Sequence, residues 1–223
     1  MKRIGCYHAH YSNIEHMDRA LGEYEAELIH FVDPGLDRIK HDPDFTPELA
    51  ETKVFETLDW IARCHVDAIL VTCTFFTAIL NDEVLRRIPV PVIKIDDPLF
   101  REIADCSGPT VLVFTNPATV EGTMGQLRRF LAAAGKTPQI ESRLLPGTFE
   151  LIMAGRKEAY LERVREGLLQ AAREHPGARV AAAQLSMVPA AQRASQTEGV
   201  AIGHALAALT EPLVRQLSLQ RRT

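Results

Sequence analysis

Cys73 closes the run Ala68-Ile69-Leu70-Val71-Thr72-Cys73-Thr74, which is apolar at first and then abruptly small and polar. A short apolar run bounded by polar residues reads as a buried parallel strand, and open α/β sheets bind ligands at the carboxyl ends of such strands. A thiol placed there is a candidate acid/base or nucleophile. Thr72, Thr74 and Thr77 surround it with hydroxyls. A helix beginning after it would direct backbone N–H groups and a positive dipole end at the sulfur, favouring thiolate. Cys6, Cys64 and Cys106 lie in a strand, at a helix end and in a connector, and read as structural.

Other polar residues fall where strands should end. They are His8, His10, Ser12 and Asn13, then Asp96 and Asp97, then Thr115, Asn116 and Thr119, and finally Gln184 and Ser186. His8 and His10 are two apart, which on a strand puts both rings on one face, as a metal pair needs. No third ligand set accompanies them, so no metal is expected and His8 is assigned to the lining of a pocket. Thr115-Asn116-Pro117-Ala118-Thr119 reads equally as an N-cap or as a cradle of free N–H groups for an anion, and Ser12-Asn13 carries the same two readings. If both are cradles, the ligand carries a carboxylate.

The elements that must position these residues follow from hydrophobic period. Strand-length apolar runs occur at 3–7, 27–32, 68–72, 90–95, 110–114, 141–145 and 179–183. Between them, Val54, Leu58 and Ile61, Met124, Leu127 and Leu131, and Leu161, Val164 and Leu168 recur at one-face helical spacing. Strands alternating with such helices predict an α/β fold with parallel sheets. The alternation runs twice, restarting near Ser107-Gly108-Pro109. The expectation is two pseudo-symmetric lobes, residues 1–97 with 200–223 and residues 98–199, their strand ends meeting at a shared cleft. A last helical pattern includes Ile202, Leu206, Leu209, Leu213 and Leu217.

Composition narrows the class. Of 223 residues, 46% are hydrophobic and 24% charged, the balance of a globular protein. A net charge of −4, with basic residues gathered in nothing longer than pairs such as 86–87, 128–129 and 221–222, argues against nucleic acid as a partner. No apolar run approaches the ~20 residues of a membrane helix. The four cysteines lack finger-like spacing and no signal peptide is evident, so a cytoplasmic location is expected. GxGxxG, GxxxxGK[ST], HExxH and GxSxG motifs are absent, which leaves a cofactor-free enzyme acting on a small acid. A homo-oligomer is compatible with this composition.

Four segments together resemble the aspartate/glutamate/hydantoin racemase superfamily. They are Val71-Thr72-Cys73-Thr74, the run from Val90 through Asp96-Asp97-Pro98, Thr115 to Thr119, and Ala183-Gln184-Leu185-Ser186-Met187. The resemblance implies two α/β lobes with the active site between them, no cofactor, and acid/base chemistry beside a carboxylate. In the family's mechanism two cysteines flank the substrate, one per lobe. Cys73 matches the first; Gln184, or in another register Ser186, stands where the second is expected. Neutral Gln is neither acid nor base, and Ser is a poor proton carrier near pH 7. The expected function is therefore a racemase- or isomerase-like enzyme using Cys73, with His8, Ser12, Asn13, Thr72, Thr74, Thr115, Asn116 and Thr119 binding the substrate. The alternatives are a one-sided decarboxylase of the arylmalonate decarboxylase type and a non-catalytic carboxylate-binding protein.

Overall fold

In the first half of the chain, a computed structural model that describes residues 1–222, strands β1 (Lys2–His8), β2 (Ala26–Val32), β3 (Ala68–Val71) and β4 (Val92–Lys94) form one parallel sheet in the order β2-β1-β3-β4. In the second half, β5 (Thr110–Phe114), β6 (Ile140–Leu144), β7 (Arg179–Ala182) and β8 (Ile202–His204) form another in the order β6-β5-β7-β8, again all parallel. The same topology thus occurs twice, as two α/β units. All seven expected strands are present; β8 is an addition.

The first unit comprises residues 1–96 and 210–223, the second residues 97–209. The expected boundary at 200 moves to 210 because Ile202, Gly203 and His204 pair with Val180, Ala181 and Ala182 of β7. Ile202 accordingly leaves the helical pattern, and the final helix, α11, runs Ala205–Leu217.

Parallel strands need crossover helices, and the sequence supplies them with defined starts. Helix α3 (Pro47–Arg63) begins at Thr46, whose Oγ1 accepts the Leu49 N–H at 3.1 Å, with Pro47 in the first turn. Its buried stripe, Ala50, Val54, Leu58 and Ile61, packs with Tyr7, Ile69 and Val71. Gly5 lets the helix approach closely: a Cβ there would lie 2.5 Å from Ile61 Cγ2.

In the second unit alternate residues of β5 face opposite layers. Val111 and Val113 join Leu161, Val164 and Leu168 of α9 (Lys157–Glu174), whereas Leu112 and Phe114 join Met124, Leu127 and Leu131 of α7 (Pro117–Ala133). Both faces of this sheet are therefore covered, which is why β5 is buried at every position. Gly167 is a second close approach, since its Cβ would lie 2.5 Å from Leu145 Cδ1. Among the described residues no helix is long and apolar enough to cross a membrane.

Candidate functional site

Each unit gathers a polar cluster at the carboxyl ends of its central strands. In the first, β3 ends at Val71, the Thr72 N–H donates to Tyr7 O at 3.0 Å, and Cys73 caps the short helix α4 (Thr74–Ile79). Cys73 is half-buried. Burial pushes its thiol up from the usual 9.0 to about 12; the N–H groups of Phe76 and Phe75 oppose this, and the nearby Asp37 and Asp96 carboxylates add to it. The expected thiolate is thus overturned, because desolvation outweighs the N–H groups of a six-residue helix. Cys73 carries its proton at neutral pH.

Around Cys73, Thr74 Oγ1 donates to Asp96 Oδ1 at 3.3 Å and Thr77 Oγ1 lies 2.8 Å from Asp96 Oδ2. Asp96 is buried. Thr72 is also buried, with its hydroxyl 2.7 Å from His8 Nδ1, 3.2 Å from Asn13 Nδ2 and 3.3 Å from Tyr7 O. Ser12 and His10 pair with each other instead, Oγ to Nδ1 at 2.8 Å, on the exposed segment between β1 and α1 (Asn13–Leu21).

His10 therefore does not share a strand face with His8. β1 ends at His8, and the ring that meets His8 is His30 of β2, Nε2 to Nδ1 at 2.9 Å. The β1–β2 register explains this, since Cys6 lies opposite His30 and Cys6 and His8 share a face. The donor atoms of Cys6, His8 and His30 lie within 4.8 Å of one another, a set that could hold a metal ion. The 2.9 Å separation of the two ring nitrogens is that of a hydrogen bond. Two imidazoles at ~2.0 Å from one tetrahedral ion would stand about 3.3 Å apart.

In the second unit Gln184 is the hub. Its Oε1 accepts from Thr115 N at 2.7 Å, Thr115 Oγ1 at 2.8 Å and Asn116 N at 3.2 Å, and its Nε2 donates to Thr119 Oγ1 at 3.3 Å. The N–H groups anticipated as an anion cradle thus converge on the carboxamide oxygen. Asn116 also caps α7, its Oδ1 accepting the Ala118 N–H at 3.0 Å, which is the N-cap reading of the segment.

Ser186 enters the cluster through Tyr160, a residue the sequence reading did not select. Tyr160 Oη lies 2.8 Å from Ser186 Oγ and 3.2 Å from Thr115 Oγ1. The order of hydrogens follows from Gln184 Oε1, which can only accept. Thr115 donates to it, Tyr160 donates to Thr115, and Ser186 donates to Tyr160. Burial, opposed by the bonds to Ser186 and Thr115, raises the Tyr160 pKa, so the phenol stays protonated. The missed residues His30 and Tyr160 share a cause: each looks like ordinary packing until strand register or helix packing brings it to a partner.

No protein-family model matches the chain, and no curated protein sequence matches it. Solved structures do. The aspartate racemase of Picrophilus torridus superposes with a TM-score of 0.69 at 10% identity, covering 100% of this chain and 96% of that one. The allantoin racemase of Klebsiella pneumoniae gives 0.69 at 16% identity, covering 100% and 91%. An arylmalonate decarboxylase gives 0.61 at 11% identity, covering 96% and 91%. The fold is that of these racemases and of the decarboxylase.

Proposed function

We propose that the protein is a cofactor-independent enzyme that moves a proton at the carbon next to the carboxylate of a small acid, with Cys73 as its only thiol acid/base. Racemase- or isomerase-like proton transfer, carried out from one face, is the leading reaction. The observation that carries this reading is the pair of strand ends: Cys73 follows β3 by two residues, and Gln184 follows β7 by two. A thiol stands at one and a locked neutral amide at the other.

The thiolate of Cys73, its minor form at neutral pH, takes the proton from carbon, becoming thiol, and the electron pair passes into an enolate stabilised by hydroxyl and amide donors. The thiol then returns a proton to carbon. Asn13, Ser12 and Thr74 of the first unit hold the carboxylate. Of the expected substrate-binding residues, His8 and Thr72 are buried and bonded to each other, so they serve by orienting Asn13.

The protonated state of Cys73 favours a second reading, decarboxylation. There the C–COO⁻ bond breaks to give CO2 and an enolate, and the thiol protonates the enolate carbon and leaves as thiolate. A resting thiol is already the acid this step needs.

Incubation with aspartate, glutamate and prochiral malonates in deuterated water, followed by NMR, tests both. Exchange at the α carbon, abolished in Cys73→Ser, supports proton transfer at a carbon already bearing hydrogen. One enantiomer of product from a malonate supports decarboxylation. Ligand-induced thermal stabilisation with no turnover of any bound acid would reduce the protein to a carboxylate-binding module.

A further inference from the structure

A chain of side chains leads from the surface of the first unit to Thr72, the residue before Cys73. Asp18 of α1 holds His30 Nε2 through Oδ1 at 3.1 Å. His30 Nδ1 meets His8 Nε2 at 2.9 Å, and His8 Nδ1 meets Thr72 Oγ1 at 2.7 Å. Asn13 Nδ2 then donates to the same hydroxyl at 3.2 Å.

The hydrogens along this chain have one consistent order for neutral imidazoles. A carboxylate only accepts, so His30 carries its hydrogen on Nε2 and presents a bare Nδ1. His8 must therefore donate through Nε2, which leaves its own Nδ1 bare. Thr72 donates to that nitrogen and keeps its lone pairs for the Asn13 amide. The competing acceptor for the Thr72 hydrogen, Tyr7 O, is farther away at 3.3 Å. Cys6, the thiol beside the two rings, has its own acceptor in Ile4 O at 3.9 Å and takes no part. Burial and the adjacent His30 hold His8 down to about 4, so it stays neutral over the working range.

We propose that Asp18 is a positioning residue which, through His30, His8 and Thr72, sets the hydrogen-bond order that orients the Asn13 carboxamide toward the substrate. The role of Asn13 rests on the function proposed above; the order of the hydrogens does not. The reverse order has His30 donating to His8, His8 to Thr72, and Thr72 to Tyr7 O. For a neutral His30 it places a bare ring nitrogen against the Asp18 carboxylate, and removal of that carboxylate lifts the penalty.

The test is long-range 1H–15N NMR of the histidine rings at about pH 8, above the range where an unperturbed imidazole is charged. Wild-type protein is expected to show the Nε2–H tautomer for both His8 and His30. Asp18 has a side chain 57% exposed, so Asp18→Leu leaves the packed core alone. In it the Nδ1 and Nε2 shifts of His8 should converge as both orders become populated. With an active substrate in hand, KM should rise roughly 2- to 12-fold with kcat little changed, the range of one weakened neutral hydrogen bond. An Nδ1–H tautomer for His8 in the wild type, or unchanged tautomers in Asp18→Leu, overturns the proposal. Because the tautomers are read without turnover, failure of the proposed function and failure of the relay give separate results. A fall in kcat at constant KM would reassign the chain from orienting Asn13 to the chemical step.

Discussion

Gln184 occupies in the second sheet the place that Cys73 occupies in the first. Each lies two residues past the third strand of a sheet ordered 2-1-3-4. Each follows a residue whose N–H bonds back to the first strand, Thr72 to Tyr7 O at 3.0 Å and Ala183 to Val113 O at 2.9 Å. Both have extended backbone and cap a short helical turn. The amide is therefore no accident of alignment: it sits at the thiol's topological counterpart, and Ser186, two residues on, is bonded to Tyr160.

Removing the amide should expose the size of what it satisfies. Gln184→Ala orphans the Thr115 and Asn116 N–H groups and the Thr115 hydroxyl, and is expected to cost about 1–3 kcal/mol in urea unfolding at neutral pH. Gln184→Glu supplies a charged acceptor to the same three donors and should retain or increase stability near pH 7. A larger loss for Glu than for Ala would show that the cluster does not accept charge.

The protonated Cys73 has a kinetic signature. Because thiolate is the nucleophile, alkylation of Cys73 by iodoacetamide, followed by peptide mapping, should be slow at neutral pH and still climbing beyond pH 9.0, toward about 12. The same shift acts on stability, with a definite sign. Below about 9 the thiol is protonated folded and unfolded, and its contribution is whole. As pH rises from 9.0 toward about 12 the unfolded thiol ionises first and that contribution is lost. Cys6, raised to about 12 by burial and Asp18, adds to the same alkaline fall. Cys73→Ala should flatten it, as read from denaturant midpoints between pH 8 and about 11.

The acid limb has a different origin. His204 caps α11, its Nδ1 accepting the Ala207 N–H at 3.1 Å, and burial lowers its pKa from 6.5 to about 4. The folded state thus disfavours the charged ring. The contribution is whole above about 6.5 and is lost as pH falls through that value toward about 4. Asn keeps a capping oxygen and cannot charge, so His204→Asn should preserve helix α11 and reduce the loss of thermal stability between those pH values. A steeper acid fall in the variant would refute this account.

How much of this was readable beforehand depends on sequence distance. Seven strands and the helices α3, α7 and α9 followed from period alone, because each apolar stripe is local. β8 did not: Ile202-Gly203-His204 is three residues long and abuts a Leu-rich helix that shares its spacing. The residues of the two clusters were visible as polar punctuation at strand ends. Their bonding was not, since the His8–His30 contact depends on register across 22 residues and the Tyr160–Ser186 contact on how α9 lies over β7. The thiolate expectation failed for a related reason. A helix start is a local signal, whereas the desolvation that overrides it comes from residues far apart in the chain.

The counterpart relationship also predicts what a second thiol would do. Gln184→Cys places a thiol at the topological counterpart of Cys73, where the resembling family has its second proton carrier. Wild-type protein is expected to exchange the α hydrogen of a chiral substrate in deuterated water with its configuration kept, because the same thiol removes and returns the proton. The variant is expected to produce the opposite enantiomer as well, measured by chiral chromatography of the deuterated product. Its stability should fall by about 1–3 kcal/mol, since a thiol is a poor acceptor for three donors. Accumulation of both enantiomers by the wild type at the variant's rate would mean that Cys73 does not act alone, and would direct attention to Ser186 and Tyr160 as the second proton carrier.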